Sequence, residues 1–374
     1  MSKVKLGDVA EEVKETYDGN GNPAIVGLEH LVPGDIRLKS WSTDIDNTFT
    51  KAFHKGQVLF GRRRAYLKKA AVAPVDGICS GDITVISAKQ DKILPELLPF
   101  VIQNDDFFDY AVGKSAGSLS PRVKWSHLKE YEFNLPGMDQ QRQLANLLWH
   151  FVDAKEAYED LIHQTDELVK SQFIEMFGYP GRVDKGYPVR RLGDVCTVER
   201  GGSPRPIANY TTNDPHGLNW IKIGDADTDR YITHTAEKIK PEGLSKTRQV
   251  YAGDLLLSNS MSFGRPYILK IDGCIHDGWL VLHFDKSEMD AIYLQTFLSL
   301  PDTFSAFSKM AEGAVVNNLN SAVVKELPVL VPSINEQKQY REIAEQSDKS
   351  KFELNEAIKD LDAMYKRIIK DNLG

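Results

Sequence analysis

Apolar side chains recur at helical spacing in two segments of about forty residues, 139–177 and 335–371, and in the second they recur every seven residues. A sustained seven-residue repeat is typical of a long helix that pairs with another helix along one face. We therefore predict two long helices that form a coiled coil. The predicted seam positions are Leu144, Leu148, Phe151, Tyr158, Ile162, Val169, Phe173, Tyr340, Leu354, Ile358, Leu361, Tyr365 and Ile368.

The ends of these helices carry their own signals. Ser333 and Glu336 have the spacing of a capping box at a helix start, and Gly178 followed by Pro180 favours a helix end. Neither helix can bury its stripe alone. We expect the two to pair antiparallel, with one globular domain at each end and approximate two-fold symmetry. Packing of each helix on its own domain is the alternative.

Some apolar positions lie off the predicted seam and suggest that a further protein packs on the helices. These positions are Leu147, Leu161, Met176 and Ile369.

Short apolar runs separated by Gly, Pro, Asn and Asp precede each long helix. Such runs are typical of strands, and each region also contains one helical stretch, at 95–110 and at 289–310. The predicted fold class is α+β, with two tandem α/β domains separated by the two helices.

The chain also contains an internal repeat. Leu6-Gly7-Asp8-Val9 recurs at 192–195, and the segment 128–136 has its counterpart at 324–332. The matching segments occur in the same order in both copies. The number of residues between a segment and its counterpart grows once, by about ten, which indicates an insertion near 197–220. We predict a first domain at 1–136, a helix at 137–178, a second domain at 179–332 and a second helix at 333–374.

The charge is unevenly distributed along the 374 residues. The net charge is −7, but residues 139–178 contain three Lys/Arg and eight Asp/Glu, whereas residues 1–138 contain eighteen of each. The domain segments are therefore close to neutral and can carry local basic clusters. The overall sign of the charge does not exclude a nucleic-acid partner.

Other features argue against a membrane or secreted protein and against an enzyme. No run approaches the roughly 18 apolar residues of a membrane span, and the first twenty residues lack the apolar core of a signal peptide. Cys79, Cys196 and Cys274 have neither metal nor disulfide spacing, and we expect them to be small buried hydrophobes in a cytoplasmic protein. We expect no catalytic residue, no metal and no cofactor bound by this chain.

A basic run follows the strand predicted at 57–60. Arginine can bond a guanine edge with two hydrogen bonds, and lysine can neutralise phosphate. A solvated surface turn is the alternative, but the aligned segment 258–265 is also rich in groups that could read a base, which favours DNA. The candidates in these two segments are Arg62, Arg63, Arg64, Tyr66, Lys68, Lys69, Asn259, Ser260 and Arg265.

Three further polar loops are candidates for DNA contact, and an ordinary connection is the alternative for the two matched ones. Two of them are matched and lie just before the long helices, at 115–124 and 313–320. A glycine-rich loop at 201–206 occurs only in the second copy. The candidates in and beside these loops are Lys114, Ser115, Arg122, Lys124, Ser203, Arg205, Asn317, Asn318 and Asn320.

The segment 166–178, Asp-Glu-Leu-Val-Lys-Ser-Gln-Phe-Ile-Glu-Met-Phe-Gly, resembles the central helix of specificity subunits of type I restriction–modification systems. The tract at 135–142, its counterpart at 331–338 and the Leu-Gly-Asp-Val openings also resemble that family. The resemblance covers essentially the whole chain. The second long helix lacks the Gln-Phe-Ile-Glu-Met-Phe-Gly signature of the first.

The resemblance implies a function. In that family, each of two target-recognition domains reads one half of a bipartite, asymmetric DNA site, and the helices space them and dock two methyltransferase subunits. S-adenosylmethionine belongs to those subunits, and motor–nuclease (restriction) subunits can join. We therefore expect a non-catalytic specificity subunit with double-stranded DNA as a partner. Two alternatives remain: a coiled-coil assembly scaffold with protein-binding domains, and the specificity subunit of a type II-like methylase–nuclease.

Overall fold

The structure is a computed structural model that describes residues 2–19, 21–43, 48–182, 184–227, 229–259, 263–311 and 319–374. The chain divides into two compact units. Unit 1 comprises Met1–Asp160 with Leu354–Gly374, and unit 2 comprises Leu161–Glu353. Each unit combines small sheets with helices, which confirms the predicted α+β class.

The described part of unit 1 begins with a strand and continues into a mixture of strands and short helices. Its strands are β1 (Ser2–Lys5), β2 (Ala10–Val13), β3 (Ala24–Val26), β4 (Lys51–Phe53), β5 (Val58–Gly61), β6 (Ala70–Val72), β7 (Gly77–Cys79), β8 (Ile83–Ala88) and β9 (Glu132–Leu135). Its helices are α1 (Leu6–Val9), α2 (Leu98–Ile102), α3 (Asp105–Gly113), α4 (Trp125–Leu128) and the first part of α5 (Met138–Phe177).

The described part of unit 2 repeats this order. Its strands are β10 (Val189–Arg191), β11 (Cys196–Arg200), β12 (Thr211–Thr212), β13 (Leu218–Ile221), β14 (Tyr231–Ile232), β15 (Glu237–Ile239), β16 (Arg248–Val250), β17 (Leu255–Ser258), β18 (Pro266–Leu269), β19 (Gly273–Ile275), β20 (Trp279–Phe284) and β21 (Pro328–Leu330). Its helices are α6 (Leu192–Val195), α7 (Ala291–Ser299), α8 (Pro301–Ala311), α9 (Ser321–Lys325) and the first part of α10 (Ile334–Leu373).

The sheets of the two units are connected in the same way. Unit 1 has the strand orders β2-β8-β5-β6 and β3-β7-β4, and unit 2 has β11-β20-β17-β18-β14 and β12-β15-β13-β19-β16. The parallel pair of β3 with β7 matches the parallel pair of β13 with β19. A two-stranded antiparallel sheet, β1 with β9 or β10 with β21, pairs an early strand of each unit with a late one. Strand pairing therefore confirms the predicted repeat, and β12 lies in the predicted insertion.

The repeated Leu-Gly-Asp-Val motif forms a single helical turn in each unit, α1 and α6. Its leucine is fully buried in both copies. A Cβ atom on Gly7 would lie 2.9 Å from the Cβ of Lys129, and one on Gly193 would lie 2.8 Å from the Cβ of Lys325. The aspartate carboxylate accepts the amide of the residue before the motif, at 3.2 and 3.3 Å. Close packing and this cap explain why the same four residues serve both copies.

A buried glutamine ties the start of each long helix to its own unit. Gln141 accepts the amide of Leu94 at 2.9 Å, and Gln337 accepts the amide of Asp290 at 2.8 Å. Each glutamine also donates to the carbonyl oxygen five residues before it, at 3.0 and 2.9 Å. These bonds fix the direction in which each helix leaves its unit.

Replacing Gln337 by alanine should lower the free energy of unfolding of unit 2 by about 1–3 kcal/mol, because the buried amide of Asp290 loses its acceptor. Urea denaturation measures this change. The matched control is Gln339→Ala, since Gln339 is exposed on the same helix. Equal stability of the two variants would contradict the structural role of Gln337.

The helix ends agree with their predicted signals. Ser333 and Glu336 form the capping box, with the Ser333 amide donating to Glu336 at 3.0 Å and the Glu336 amide donating to the Ser333 hydroxyl at 3.4 Å. Gly178 follows α5 with a positive φ of 85°. The helical stretch predicted at 95–110 is two helices, because the Asn104 side chain caps α3. The stretch predicted at 289–310 is likewise divided, into α7 and α8.

Within each unit, α5 and α10 pair antiparallel. In unit 1, Lys155 bonds Asp362 at 3.0 Å, and in unit 2, Lys351 bonds Asp166 at 2.7 Å. The helices also pack on the sheet-bearing part of each unit. The structure therefore combines the two predicted alternatives, pairing of the long helices and packing of a helix on a domain. The prediction that Ile369 is available to a further protein was wrong, because Ile369 is 3% exposed and lies in the core of unit 1.

The predicted seam positions are all buried or half-buried. They are again Leu144, Leu148, Phe151, Tyr158, Ile162, Val169, Phe173, Tyr340, Leu354, Ile358, Leu361, Tyr365 and Ile368. Across the described ranges, no helix combines the length and apolarity needed to cross a membrane.

Candidate nucleic-acid interface

The two basic segments of unit 1, residues 62–69 and 115–124, lie against each other. The Val123 amide donates to the Arg62 carbonyl at 3.0 Å, and the Arg64 amide donates to the Pro121 carbonyl at 2.8 Å. The Arg63 guanidinium also donates to the Ser120 hydroxyl at 3.1 Å. The structure thus brings together two loops that were predicted as separate candidates.

The carboxylate of Asp82 holds the cations of both loops. Arg122 donates to it through Nε at 2.7 Å and through Nη2 at 3.2 Å, and Arg63 lies 3.6 Å from it. The hydrogen bond from Arg122 is the main reason that the pKa of Asp82 lies below its ordinary value, and burial only partly opposes it. Asp82 therefore positions two guanidinium groups in the free protein.

The stabilisation provided by Asp82 should depend on pH. Because its folded-state pKa is depressed, this contribution is present in full above about pH 4, the ordinary range of aspartate, and is lost as the pH falls through the depressed value. The difference in unfolding free energy between wild type and Asp82→Asn should therefore shrink as the pH falls below about 4. Urea denaturation of both proteins across this range measures it. A difference that stays constant with pH would exclude the charged role.

Some of the other basic side chains in and beside these two loops contact protein groups, and others are exposed to solvent. Lys68 pairs with Asp105 at 2.6 Å, and Lys69 donates to the Leu28 carbonyl at 2.7 Å. The ammonium of Lys114 lies 5.6 Å from the Tyr110 ring centroid. The side chains that remain exposed in this region include Arg64, Tyr66 and Lys124. Ser115 is half-buried and donates to the Ala111 carbonyl at the end of α3.

In unit 2 a second aspartate, Asp277, joins the loop 201–206 to the segment 258–265. It accepts the Ser203 hydroxyl at 2.7 Å and lies 3.8 Å from Arg205, while its carbonyl accepts the Asn259 side-chain amide at 3.0 Å. Burial raises the pKa of Asp277, but the hydrogen bond from Ser203 and the neighbouring charges of His276 and of arginines outweigh it and lower the pKa. Three predicted candidates, Ser203, Arg205 and Asn259, therefore lie around Asp277.

Arg62 and Asn259 occupy the same backbone position in the two units. The Arg62 amide donates to the Asp82 carbonyl just before β8, and the Asn259 amide donates to the Gly278 carbonyl just before β20, both at 2.9 Å. The Arg62 carbonyl accepts the amide of Val123, just before α4, at 3.0 Å. The Asn259 carbonyl accepts the amide of Leu319, just before α9, at 3.1 Å. Among the described residues, Nε of Arg62 and Oδ1 of Asn259 are buried without a hydrogen-bond partner.

The remaining candidates of unit 2 have different surroundings. Arg265 is exposed, and its amide donates to the Ser258 hydroxyl at 2.9 Å. The side chain of Asn320 caps α9 by accepting the Val323 amide at 2.9 Å, which is a structural role that the sequence did not suggest. Ser260, Asn317 and Asn318 lie outside the described residues.

Sequence reasoning missed Asp82 and Asp277, which organise both clusters. A weak signal was present, because each aspartate comes one or two residues before the apolar run of a predicted strand and beside a glycine. The expectation for the three cysteines is confirmed. All three are buried, and burial raises the pKa of the Cys79 and Cys196 thiols to about 12 and that of Cys274 to about 11.

Residues 184–361 match the family model described as the type I restriction modification DNA specificity domain. Residues 184–361 form a type I restriction–modification specificity domain. The match confirms the resemblance predicted from the sequence. Because the strands of unit 1 pair as those of unit 2 do, the fold of the specificity domain occurs twice in the chain.

Two curated type I restriction enzyme specificity subunits are similar to parts of the chain. The type I restriction enzyme MjaIX specificity subunit of Methanocaldococcus jannaschii is 30% identical over 139 residues, which cover 33% of this chain and 32% of that protein. The type I restriction enzyme EcoDI specificity subunit of Escherichia coli is 26% identical over 163 residues, which cover 43% of this chain and 35% of that protein. The matched part thus spans about a third of each relative.

A solved structure shares the fold over nearly the whole chain. It comes from work on complex assembly and conformational transition of the type I R-M system, and its TM-score is 0.60 at 21% identity. The similarity covers 99% of this chain and 97% of that chain.

Proposed function

We propose that this chain is the DNA sequence-specificity subunit of a restriction–modification complex and recognises a bipartite, asymmetric target in double-stranded DNA. Unit 1 reads one half-site through the loops 62–69 and 115–124, and unit 2 reads the other through the segments around Asp277. The convergence of the two basic loops on Asp82 is the observation that carries this proposal. Guanidinium groups held in fixed positions suit base edges and phosphates.

The two half-sites differ in sequence under this proposal. The same backbone position carries an arginine in unit 1 and an asparagine in unit 2. Arginine pairs best with guanine. The prediction that Asn259 reads a base is corrected, because its side chain is 3% exposed and donates to the Asp277 carbonyl, so it holds the loop of unit 2 in place. Two units of one fold with different side chains at this position suit a target whose halves are unlike.

The long helices are proposed to dock two methyltransferase subunits, which hold S-adenosylmethionine, and restriction subunits can join them. Exposed apolar side chains support this role, because large exposed apolar groups are typical of protein-binding surfaces. On α5 they are spaced by multiples of seven, so they share one face. The exposed positions are Leu147, Leu161 and Leu168 on α5 and Phe352 and Met364 on α10.

This chain itself is proposed to take no catalytic step, and methyl transfer is assigned to the docked subunits. The buried cysteines support this assignment, because their raised pKa keeps the thiols neutral and poorly nucleophilic at neutral pH.

A genome-wide map of methylated adenine tests the proposal. The parent strain is compared with a strain that lacks this gene and with the same strain carrying the gene again. Loss and recovery of methylation at one split motif, two unlike halves around a fixed gap, is the expected result. If no motif changes, the scaffold alternative is favoured, and identification of the proteins that co-purify with the chain becomes the next measurement.

A further inference from the structure

An apolar side chain protrudes from the basic surface of unit 1. Backbone hydrogen bonds between Ala116 and Arg122, of 3.0 and 2.9 Å, close a loop of five residues. Leu119 is the middle residue of that loop and is 89% exposed. Nothing in the fold of unit 1 requires a leucine at this position, since its side chain is almost fully in solvent.

The surroundings of Leu119 are cationic. Its neighbour Ser120 accepts a hydrogen bond from Arg63, and Arg122 closes the loop. The adjacent turn presents Tyr66, which is 53% exposed. An apolar tip between arginines matches the chemistry of a nucleic-acid duplex, which has anionic backbones outside and stacked apolar bases inside.

We propose that Leu119 is a wedge that enters the base stack of the half-site read by unit 1 and partly unstacks one base step. Leucine is among the side chains that proteins insert between base pairs in this way. Arg122, at the end of the loop, is bound to Asp82, so the loop is held in place when Leu119 enters the stack. This inference rests on the proposed function.

Unstacking by Leu119 also has a chemical use. An enzyme that modifies a base within a duplex must first take that base out of the stack, and this costs less where stacking is already weakened. The wedge therefore assists the methyltransferase subunits from outside their own active sites.

The test uses the full chain together with its co-purifying subunits. Selection from a randomised duplex library first identifies the bound motif. Duplexes carrying that motif are then prepared with 2-aminopurine in place of each adenine in turn, because the fluorescence of 2-aminopurine rises when the base is unstacked. Leu119→Ser removes the wedge, Leu119→Met keeps an apolar side chain, and Val189→Ser is the control, since Val189 is 46% exposed on β10.

Wild type and Leu119→Met should raise the fluorescence at one position of a single half-site. Leu119→Ser should lose most of this rise and bind at least about tenfold more weakly, as expected when a leucine side chain is no longer buried. Val189→Ser should behave as wild type. Circular dichroism confirms that each variant is folded.

Three results would overturn the wedge. An unchanged fluorescence rise with Leu119→Ser refutes insertion while leaving the enriched motif, and so the proposed function, intact. If wild type gives no fluorescence rise, and replacing one thymine of the motif by uracil weakens wild-type binding as much as Leu119→Ser does, Leu119 contacts a thymine methyl group instead of entering the stack. Failure to enrich any motif removes both the proposed function and the wedge.

Discussion

Replacing Arg64 by alanine should weaken binding to one half-site by about 10- to 100-fold, while binding to the other half-site stays within about twofold. Arg64 is exposed, with a left-handed backbone at φ 53°, and the turn after it is fixed by the bond from the Leu67 amide to the Arg64 carbonyl. Arg63, Lys68 and Lys69 are already held by protein groups, and Arg62 is half-buried. Arg64 is thus the arginine of this run that is best placed to meet a base edge.

Competition binding measures the effect, with duplexes in which one half-site at a time is replaced by unrelated sequence. The matched control is Arg142→Ala, because Arg142 is 62% exposed in unit 1 but lies on α5 and pairs with Asp139. The control should bind as wild type. Equal losses at both half-sites for Arg64→Ala would mean that the residue contributes only general phosphate attraction.

Replacing Phe173 by alanine should lower the free energy of unfolding of unit 2 by about 3–5 kcal/mol. Phe173 is fully buried, and its ring lies 5.2 Å from that of Tyr293 and 5.1 Å from that of Tyr340. It therefore joins α5 and α10 to α7. Removal of the ring leaves a cavity at the point where three helices meet.

Hydrogen exchange of the amides in β17 and β20 measures the stability of unit 2 directly. Leu168→Ala is the control on the same helix, since Leu168 is 57% exposed. It should change stability by less than about 0.5 kcal/mol. A similarly small effect of Phe173→Ala would mean that α5 does not contribute to the core of unit 2.

Local periodicity and turn chemistry were enough to predict most elements of the fold. Helical spacing of apolar residues predicted both long helices, with a seven-residue repeat in the second, and the Ser333–Glu336 spacing predicted the start of α10. These signals are readable because they lie within a few residues of each other. The break between α2 and α3 was missed. It depends on a single side-chain cap at Asn104, which competes with an otherwise continuous helical pattern.

The candidate interface could be predicted only in part. The basic run at 62–69 is visible because its charges are adjacent in sequence. The organising role of Asp82 was not visible, because Arg122 is forty residues away and meets it only after β5 and β8 have paired. The sequence also could not show that Lys68 and Lys69 are already engaged by Asp105 and the Leu28 carbonyl.

The anchoring of Arg62 and Asn259 has a consequence for how target preference diversifies. Both residues are held through main-chain atoms, which every amino acid except proline supplies. A point mutation at codon 62 can therefore change the side chain offered to DNA without removing the main-chain bonds that hold the loop, whereas a mutation at codon 259 also removes the bond from the Asn259 side chain to the Asp277 carbonyl. Under the proposed function, a lineage can acquire a new methylation pattern across its genome in one mutational step at codon 62, with little loss of protein stability.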